Sequence, residues 1–443
     1  MSWEAGHQKL HNKFRGINEE ILNTKGFIDE RKSKILLYKF LKENPSFTSE
    51  FMTGVSLFPF QHMAIKAMMD SDYFLGIWCL DENEYVLTES GFKKIKDVNV
   101  GERVRSRNKL NLVTDKKFNA PNEKGLYIKT FSGDSFKAKL GHKTLIYNSL
   151  TLDLEFKEIE TLSTEDFLPI KLGMNCWGDV QLVENSPKMN IEDCDYWYFL
   201  LGYMIGDGYF DDYTMHWCSE DSKVIDMTMA KAKEYFPKNK IICRSRADNG
   251  FLEMGISSKD LIDWLKSIGF DRSLKAKNKV IPDSILQINE QKMAALISGI
   301  FSADGYCSIL KDKRYSNSKA VKLGLKNTSI ELLRQVKMLL NNFGVESSIR
   351  YSGSHKDVPY YDLKILKSGH QKFSDRIGFV SDHKQNNLLE VLNLPSRKYQ
   401  INLVPNLGTY LKKKYKTWQK LFGVAGNFGK DMCLDSALSA KFL

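Results

Sequence analysis

The sequence predicts a multidomain protein. A helical N-terminal segment leads into a partial all-β segment, and then into an α+β domain of two pseudo-twofold αββαββα repeats. Three observations carry that prediction. Two apolar, small-residue-rich stretches ending in Asp-Gly, Leu200-Leu201-Gly202-Tyr203-Met204-Ile205-Gly206-Asp207-Gly208 and Ile297-Ser298-Gly299-Ile300-Phe301-Ser302-Ala303-Asp304-Gly305, lie about a hundred residues apart. The elements after each copy recur in one order and close on Ile-Gly-Phe, at Ile268-Gly269-Phe270 and Ile377-Gly378-Phe379. Ahead of the first copy, short β-rich pieces alternate with glycine turns.

Taken in order, residues 1–78 read as mostly helical, with helical periodicity at Lys34–Leu41 and Gln61–Met69, and end in a buried strand at Tyr73–Trp78. From Cys79 to about Pro169 strands are expected at Tyr85–Thr88, Lys93–Ile95, Arg103–Val104, Leu126–Ile128 and Leu145–Tyr147, with Gly91, Gly101, Gly125 and Gly133 at turns. The all-β segment is drawn as 79–190 and the α+β domain as 191–392, with repeats at about 193–289 and 290–392. Each repeat opens with a helix that stops at Gly, with one carboxylate at its C-terminal tip. In the first repeat, strands near Thr214–Cys218, Ile241–Arg246 and Phe251–Ile256 surround helices Ser222–Phe236 and Ser258–Ile268. In the second, strands near Cys307–Leu310, Val321–Leu325, Ser347–Tyr351 and Tyr360–Ile365 surround a helix Ser329–Asn341. Residues 393–443 read as a basic helical tail, whose Lys412-Lys413-Lys414 run is by itself a solvated face.

The chain has 443 residues, room for more than one core, and a net charge of +11 with 42% hydrophobic residues. That balance favours a polyanionic partner and excludes a disordered basic tail. The seven cysteines form no C-x-x-C pair and no cluster with histidine, which argues against a zinc site or disulfide framework and for a reducing, cytoplasmic location. No signal pattern opens the chain, and the apolar run Tyr196–Ile205 is too short to span a bilayer.

Gly202 and Gly206 share a helical face, and Ser298, Gly299 and Ser302 give the second helix a similar one. Small residues let two helix backbones approach closely, which sets Asp207 and Asp304 side by side at the tips. Two carboxylates that close repel unless a cation lies between them, and Mg²⁺ suits an oxygen-only set, so metal-assisted phosphodiester hydrolysis is the expected chemistry. The bland alternative is a pair of helix ends where Asp merely caps a turn.

Both motifs resemble the LAGLIDADG signature of homing endonucleases. The resemblance implies that the two motif helices form a pseudo-twofold interface and that Asp207 and Asp304 bind metal at the scissile phosphates, with carbonyls at Gly206 and Ala303 completing the coordination. It also implies double-stranded DNA as partner and a monomeric enzyme whose single chain supplies both halves. Lys279-Val280-Ile281-Pro282 resembles the Lys-x-Ile-Pro element before the second motif of intein endonucleases, where the Lys lies near the active site; repeat logic makes Lys384 its counterpart. From sequence alone either lysine is an ordinary surface cation. DNA recognition falls to exposed sheet faces, with Arg244, Arg246, Lys322, Lys326, Arg350 and Lys364 as candidates on expected strands or their ends.

The stretch Cys79-Leu80-Asp81 through Val100-Gly101-Glu102-Arg103-Val104 resembles the N-terminal block of inteins of the Hint superfamily. The resemblance implies that Cys79 attacks its preceding peptide bond, assisted by His142; where the family usually has Thr three residues before that His, this chain has Lys139. Leu57-Phe58-Pro59-Phe60-Gln61 and Tyr73–Trp78 resemble the start of a phage terminase large subunit, which implies that residues 1–78 are an N-extein of that kind; an unidentified helical host or fused domain is the alternative. The chain ends Ser439-Ala440-Lys441-Phe442-Leu443 without the His-Asn ending of an intein, so an incomplete splicing domain and a separate C-terminal intein fragment are expected. The sequence-based reading is an intein-encoded homing endonuclease making metal-dependent double-strand breaks at the intein insertion site. Two alternatives stand beside it: a trans-splicing N-terminal fragment with an inactive endonuclease, and a DNA-binding or maturase protein that does not cleave.

Overall fold

A computed structural model describes residues 80–106, 109–117, 124–148, 153–182, 193–245, 251–273, 276–311, 319–394, 403–404 and 438–439. The helices and strand expected over 1–78, Cys79, Arg246 and the Lys412–Lys414 run lie outside the described residues. The chain divides into two compact units, one of residues 1–77 and 99–116, the other of 78–98 and 117–443.

The β-rich region begins, in the second unit, with a hairpin of β1 (Tyr85–Thr88) and β2 (Gly91–Lys94). Its turn needs Gly91 at φ +95°, and the Thr88 hydroxyl donates to the Gly91 carbonyl at 2.8 Å. In the first unit the described residues form a hairpin of β3 (Arg103–Arg105) and β4 (Leu110–Leu112). Two further hairpins of the second unit follow, β5 (Gly125–Lys129) with β6 (Ser135–Lys139) and β7 (Lys143–Asn148) with β8 (Asp153–Glu158). Strands and short 3₁₀ turns make up the regular structure described up to residue 182, as the sequence predicts.

The α+β domain repeats one plan. Helix α1 (Asp195–Asp207) leads to β9 (Gly208–Phe210), β10 (Thr214–Ser219), α2 (Ser222–Tyr235), β11 (Lys240–Ser245), β12 (Leu252–Ser257) and α3 (Lys259–Ser267). Helix α4 (Glu290–Asp304) then leads to β13 (Gly305–Lys311), β14 (Lys319–Asn327), α5 (Ile330–Phe343), β15 (Ser347–His355), β16 (Val358–Ile365) and α6 (Lys367–Arg376). A further helix, α7 (Asp382–Asn393), follows the second repeat; its polar sequence buries only Leu388 and Val391. Each repeat yields a four-stranded antiparallel sheet, ordered β11-β12-β10-β9 and β15-β16-β14-β13, which is the same order once the repeats are aligned. Helix starts are local: Asp221, Ser258, Asn289 and Ser329 each accept from the backbone N–H three residues on, at 3.0–3.3 Å. In the expected tail, the described residues are the end of α7 and a two-residue pair of Leu403–Val404 with Leu438–Ser439.

The core lies between the sheets and the helices. Met215, Trp217, Met254 and Ile256 face it from the first sheet and Leu323, Leu325, Leu363 and Ile365 from the second, alternating with outward residues. Helix α1 is buried from Trp197 to Gly206 and packs along α4. The β-hairpins of the second unit are tied to this body. Tyr85 donates to Asp283 Oδ1 at 2.6 Å, Lys94 Nζ lies 2.6 Å from Asp283 Oδ2, and Ile349 N–H donates to the Ser132 carbonyl at 2.9 Å. No helix among the described residues is long and apolar enough to cross a membrane.

Candidate functional site

The two motif helices approach at their small residues. A methyl group added to Gly202 falls 1.9 Å from the Leu296 carbonyl oxygen, one on Gly299 falls 2.1 Å from that of Phe199, and one on Gly206 falls 2.5 Å from Ala303 Cβ. No larger residue fits between these backbones. Gly208 and Gly305 are extended rather than left-handed, at φ −114° and −76°. A side chain on Gly208 meets the Met204 backbone at 2.6 Å and one on Gly305 the Phe301 carbonyl at 2.4 Å, so glycine permits the helix to turn straight into a strand.

This contact delivers Asp207 and Asp304 together, within hydrogen-bonding reach of each other. Asp207 is exposed at its tip and Asp304 is half-buried. Asp304 is pushed up to about 6, first by loss of water around it and then by the Asp207 charge, while Lys279, Asn327 and Lys384 pull it down. Asp207 is also raised, by desolvation, against the pull of the two lysines. Asn327 Nδ2 donates to Asp304 Oδ2 at 2.8 Å and fixes its orientation.

The predicted lysines arrive from two directions in matching roles. Lys279 Nζ donates to the Gly206 carbonyl at the end of α1, and Lys384 Nζ donates to Ser302 and Ala303 carbonyls at the end of α4, at 2.7 and 3.0 Å. Each ammonium thus caps the negative end of a helix dipole beside the acid pair. Burial lowers both lysines from their ordinary range, opposed by the two aspartates. The carbonyls of Gly206 and Ala303 are therefore already partnered by ammonium groups, and each oxygen keeps a second lone pair.

The donors here are oxygen only, a set that suits a hard cation such as Mg²⁺. Among the described residues no group of three or more His, Cys, Asp or Glu side chains is placed to hold a metal ion. Two carboxylates leave most of an octahedral shell to oxygens from elsewhere. An open cleft of about 490 Å³ runs past Gly206, Lys279, Asp304, Lys326, Asn327 and Tyr360, giving a bulky oxygen-bearing ligand access to the pair.

Of the six candidate DNA contacts, five are described. Lys322 and Lys326 on β14, Arg350 on β15 and Lys364 on β16 are exposed on the sheet face opposite Leu323, Leu325, Ile349 and Leu363. Arg350 lies over the Phe131 ring at 4.7 Å. Arg244 is exposed on the corresponding face of the first sheet. His142 is half-buried, with its ionisation lowered by burial; its distance to Cys79 lies outside the described residues. Sequence reasoning missed Asn327, which the end of β14 brings to the α4 tip. It also missed Gln335, buried in α5, whose side chain accepts from Ile281 N–H at 2.7 Å and donates to Ile281 carbonyl at 2.9 Å. Gln335 so holds the extended segment just after Lys279.

Residues 291–378 match the family model of a LAGLIDADG-like domain. The chain is 26% identical over 198 residues to glutamine–fructose-6-phosphate aminotransferase [isomerizing] of Methanocaldococcus jannaschii, a match covering 44% of this chain and 17% of that protein. It is 24% identical over 314 residues to the ribonucleoside-diphosphate reductase NrdEB subunit alpha of Bacillus subtilis, covering 63% and 26%. It is 28% identical over 172 residues to a DNA polymerase of Thermococcus litoralis, covering 37% and 9%. The chain thus spans less than a third of the length of these curated relatives. Among solved structures, the homing endonuclease I-DmoI bound to target DNA with Mn matches at 22% identity and TM-score 0.31, covering 44% of this chain and 97% of that one. The LAGLIDADG meganuclease I-AabMI bound to uncleaved DNA matches at 15% and 0.29, covering 44% and 89%.

Proposed function

We propose that this chain is a site-specific homing endonuclease of the LAGLIDADG kind, hydrolysing one phosphodiester in each strand of a DNA duplex with Mg²⁺ at the Asp207–Asp304 pair. The observation that carries the reading is the pairing of the two carboxylates on the axis of the repeat, each flanked by a lysine on the end of its helix.

Asp207 and Asp304 would hold the metal ions, with the second lone pairs of the Gly206 and Ala303 carbonyls nearby. Bound Mg²⁺ supplies Lewis-acid stabilisation of the phosphate and an activated water. The chain's own groups do the rest. Asn327 holds one Asp304 oxygen, and Asp304 lines the cleft. Lys279 and Lys384 keep the acid pair near neutrality before DNA arrives and face the charge that develops on the phosphate. The exposed cations of the two sheets hold the duplex across the tips. Because the protein offers two carboxylates, a metal held there would need further oxygen donors, which a phosphodiester substrate would supply. Binding of DNA and of metal is then cooperative. The test is selection of bound sequences from a randomised duplex library, followed by Mg²⁺-dependent cleavage of a plasmid carrying the enriched sequence.

A second element of the reading is attachment to an intein. Support comes from the Cys79 to Val104 match and from relatives of unrelated activity, an aminotransferase, a reductase subunit and a DNA polymerase, that resemble this chain over only a part of their length. That pattern fits an element inserted into different hosts. On this reading Cys79 is the nucleophile, His142 its partner, and residues 1–78 a host segment of terminase type. Mixing the chain with a matching C-terminal intein fragment should give a ligated product by intact mass, and Cys79→Ala should give none. No Cys79-dependent product would leave only the nuclease.

A further inference from the structure

Each motif aspartate is followed two residues on by a tyrosine, Tyr209 in β9 and Tyr306 in β13. In both repeats the tyrosine hydroxyl donates to a carboxylate two strands away: Tyr209 to Glu253 Oε1 at 2.9 Å, and Tyr306 to Asp362 Oδ1 at 2.6 Å. The two acids hold the same place in their sheets. Glu253 on β12 stands opposite Arg244 on β11, and Asp362 on β16 opposite Arg350 on β15. They are 2% and 6% exposed, on the sheet faces turned away from the helices.

A buried carboxylate costs solvation unless cations and hydrogen bonds compensate it. Around Glu253, Arg244 Nη2 lies at 2.8 Å and His216 Nδ1 at 3.2 Å, with the His216 ring stacked on Tyr209 at 4.6 Å. Arg244 above all holds Glu253 down at about 2, so it is ionised at any working pH. Around Asp362, Lys364 Nζ lies at 3.6 Å and Lys326 stands directly opposite in register. The cations stay outside: the Arg244 and Lys364 side chains are 63% and 50% exposed.

Negative charge under a face that meets phosphates weakens bare affinity, so these acids do not serve attraction. They do restrict long, flexible cations that would otherwise lose rotamer freedom on binding. Resting on the DNA reading above, we propose that Glu253 with Tyr209, and Asp362 with Tyr306, are positioning residues that set sequence specificity, each pair fixing the neighbouring cations for one half of a duplex target.

The test is binding selection from a randomised duplex library by the full chain, as wild type, Glu253→Gln and Asp362→Asn, with affinity for a non-selected duplex measured alongside. The expected result is about tenfold lost discrimination confined to one half of the motif for Glu253→Gln and to the other half for Asp362→Asn. Non-specific affinity should be equal or higher, since each variant removes one negative charge. Tyr209→Phe and Tyr306→Phe, which keep the ring, should repeat the half-site pattern more mildly. Unchanged motifs would overturn the proposal, as would loss across the whole motif in step with affinity, or four variants that fail to fold. A wild-type chain that enriches no sequence would overturn the DNA reading itself, and this inference with it.

Discussion

Gly202 in α1 lies so close to Leu296 in α4 that a single methyl group on it would sit 1.9 Å from the Leu296 carbonyl oxygen. Backbone cannot rotate away as a side chain can, so the helices must separate. Gly202→Ala and Gly299→Ala should each cost about 1–3 kcal/mol in a denaturant titration. Because the helix tips splay with the helices, cleavage should fall further than stability does. Wild-type stability in both variants would show that the helices are not packed this closely.

Asp304 links the site to pH. Its carboxyl ionises at about 6 in the folded chain, above its ordinary value of 3.8, so the native state holds more protons than the unfolded one between those values. Stability without divalent ions should therefore fall as pH rises from about 4 to about 6. Asp304→Asn should flatten that slope and stabilise the chain at pH 7, by at most about 3 kcal/mol. Urea midpoints at pH 4.5 and pH 7 decide it; parallel slopes for the two proteins would remove Asp304 as the source.

Lys279→Met and Lys384→Met should each reduce cleavage by about a hundredfold while DNA affinity changes only a few-fold, since each removes one charge placed at the reacting phosphate. Either change also takes away a cation that pulls the Asp304 carboxyl down. The pH dependence of cleavage should move upward in both variants. Unchanged rates would return the lysines to the role of helix caps.

Gln335→Ala should leave the Ile281 N–H and carbonyl without their buried partner, and it should cost about 1–3 kcal/mol. The Lys279 segment loses its anchor, so cleavage should drop while binding by the sheets persists. Gln335→Glu keeps the acceptor and loses the donor, and should fall between. Equal cleavage by all three proteins would detach Gln335 from the site.

Legibility in the sequence followed interaction range. Helices α1 and α4, both sheets and the two aspartates were visible because a repeat writes each element twice, and Gly, Ser and Asp mark helix faces and ends locally; Lys279 was legible only through the Lys-x-Ile-Pro resemblance, and Lys384 through its place in the repeat. Asn327 was not, because only the pairing of β14 within its sheet carries it to the α4 tip. The Glu253 and Asp362 networks depend on register across three strands, although the Asp-Gly-Tyr common to both motifs was there to be read. The bounds of helix α7 were not legible, because Leu388 and Val391 are too few for a periodic signal. That both motif helices stop at Gly was legible, but the reason was not, because packing against Met204 and Phe301 is what demands glycine there.

The most direct measurement is double-strand cleavage of a plasmid carrying the sequence the chain itself selects, with and without Mg²⁺, by wild type, Asp207→Asn and Asp304→Asn. Linear product should form from wild type only when Mg²⁺ is present and from neither variant, with DNA binding retained by all three proteins. Linear product without metal, or from either variant at the wild-type rate, would contradict the assignment of Asp207 and Asp304 as the metal-holding pair.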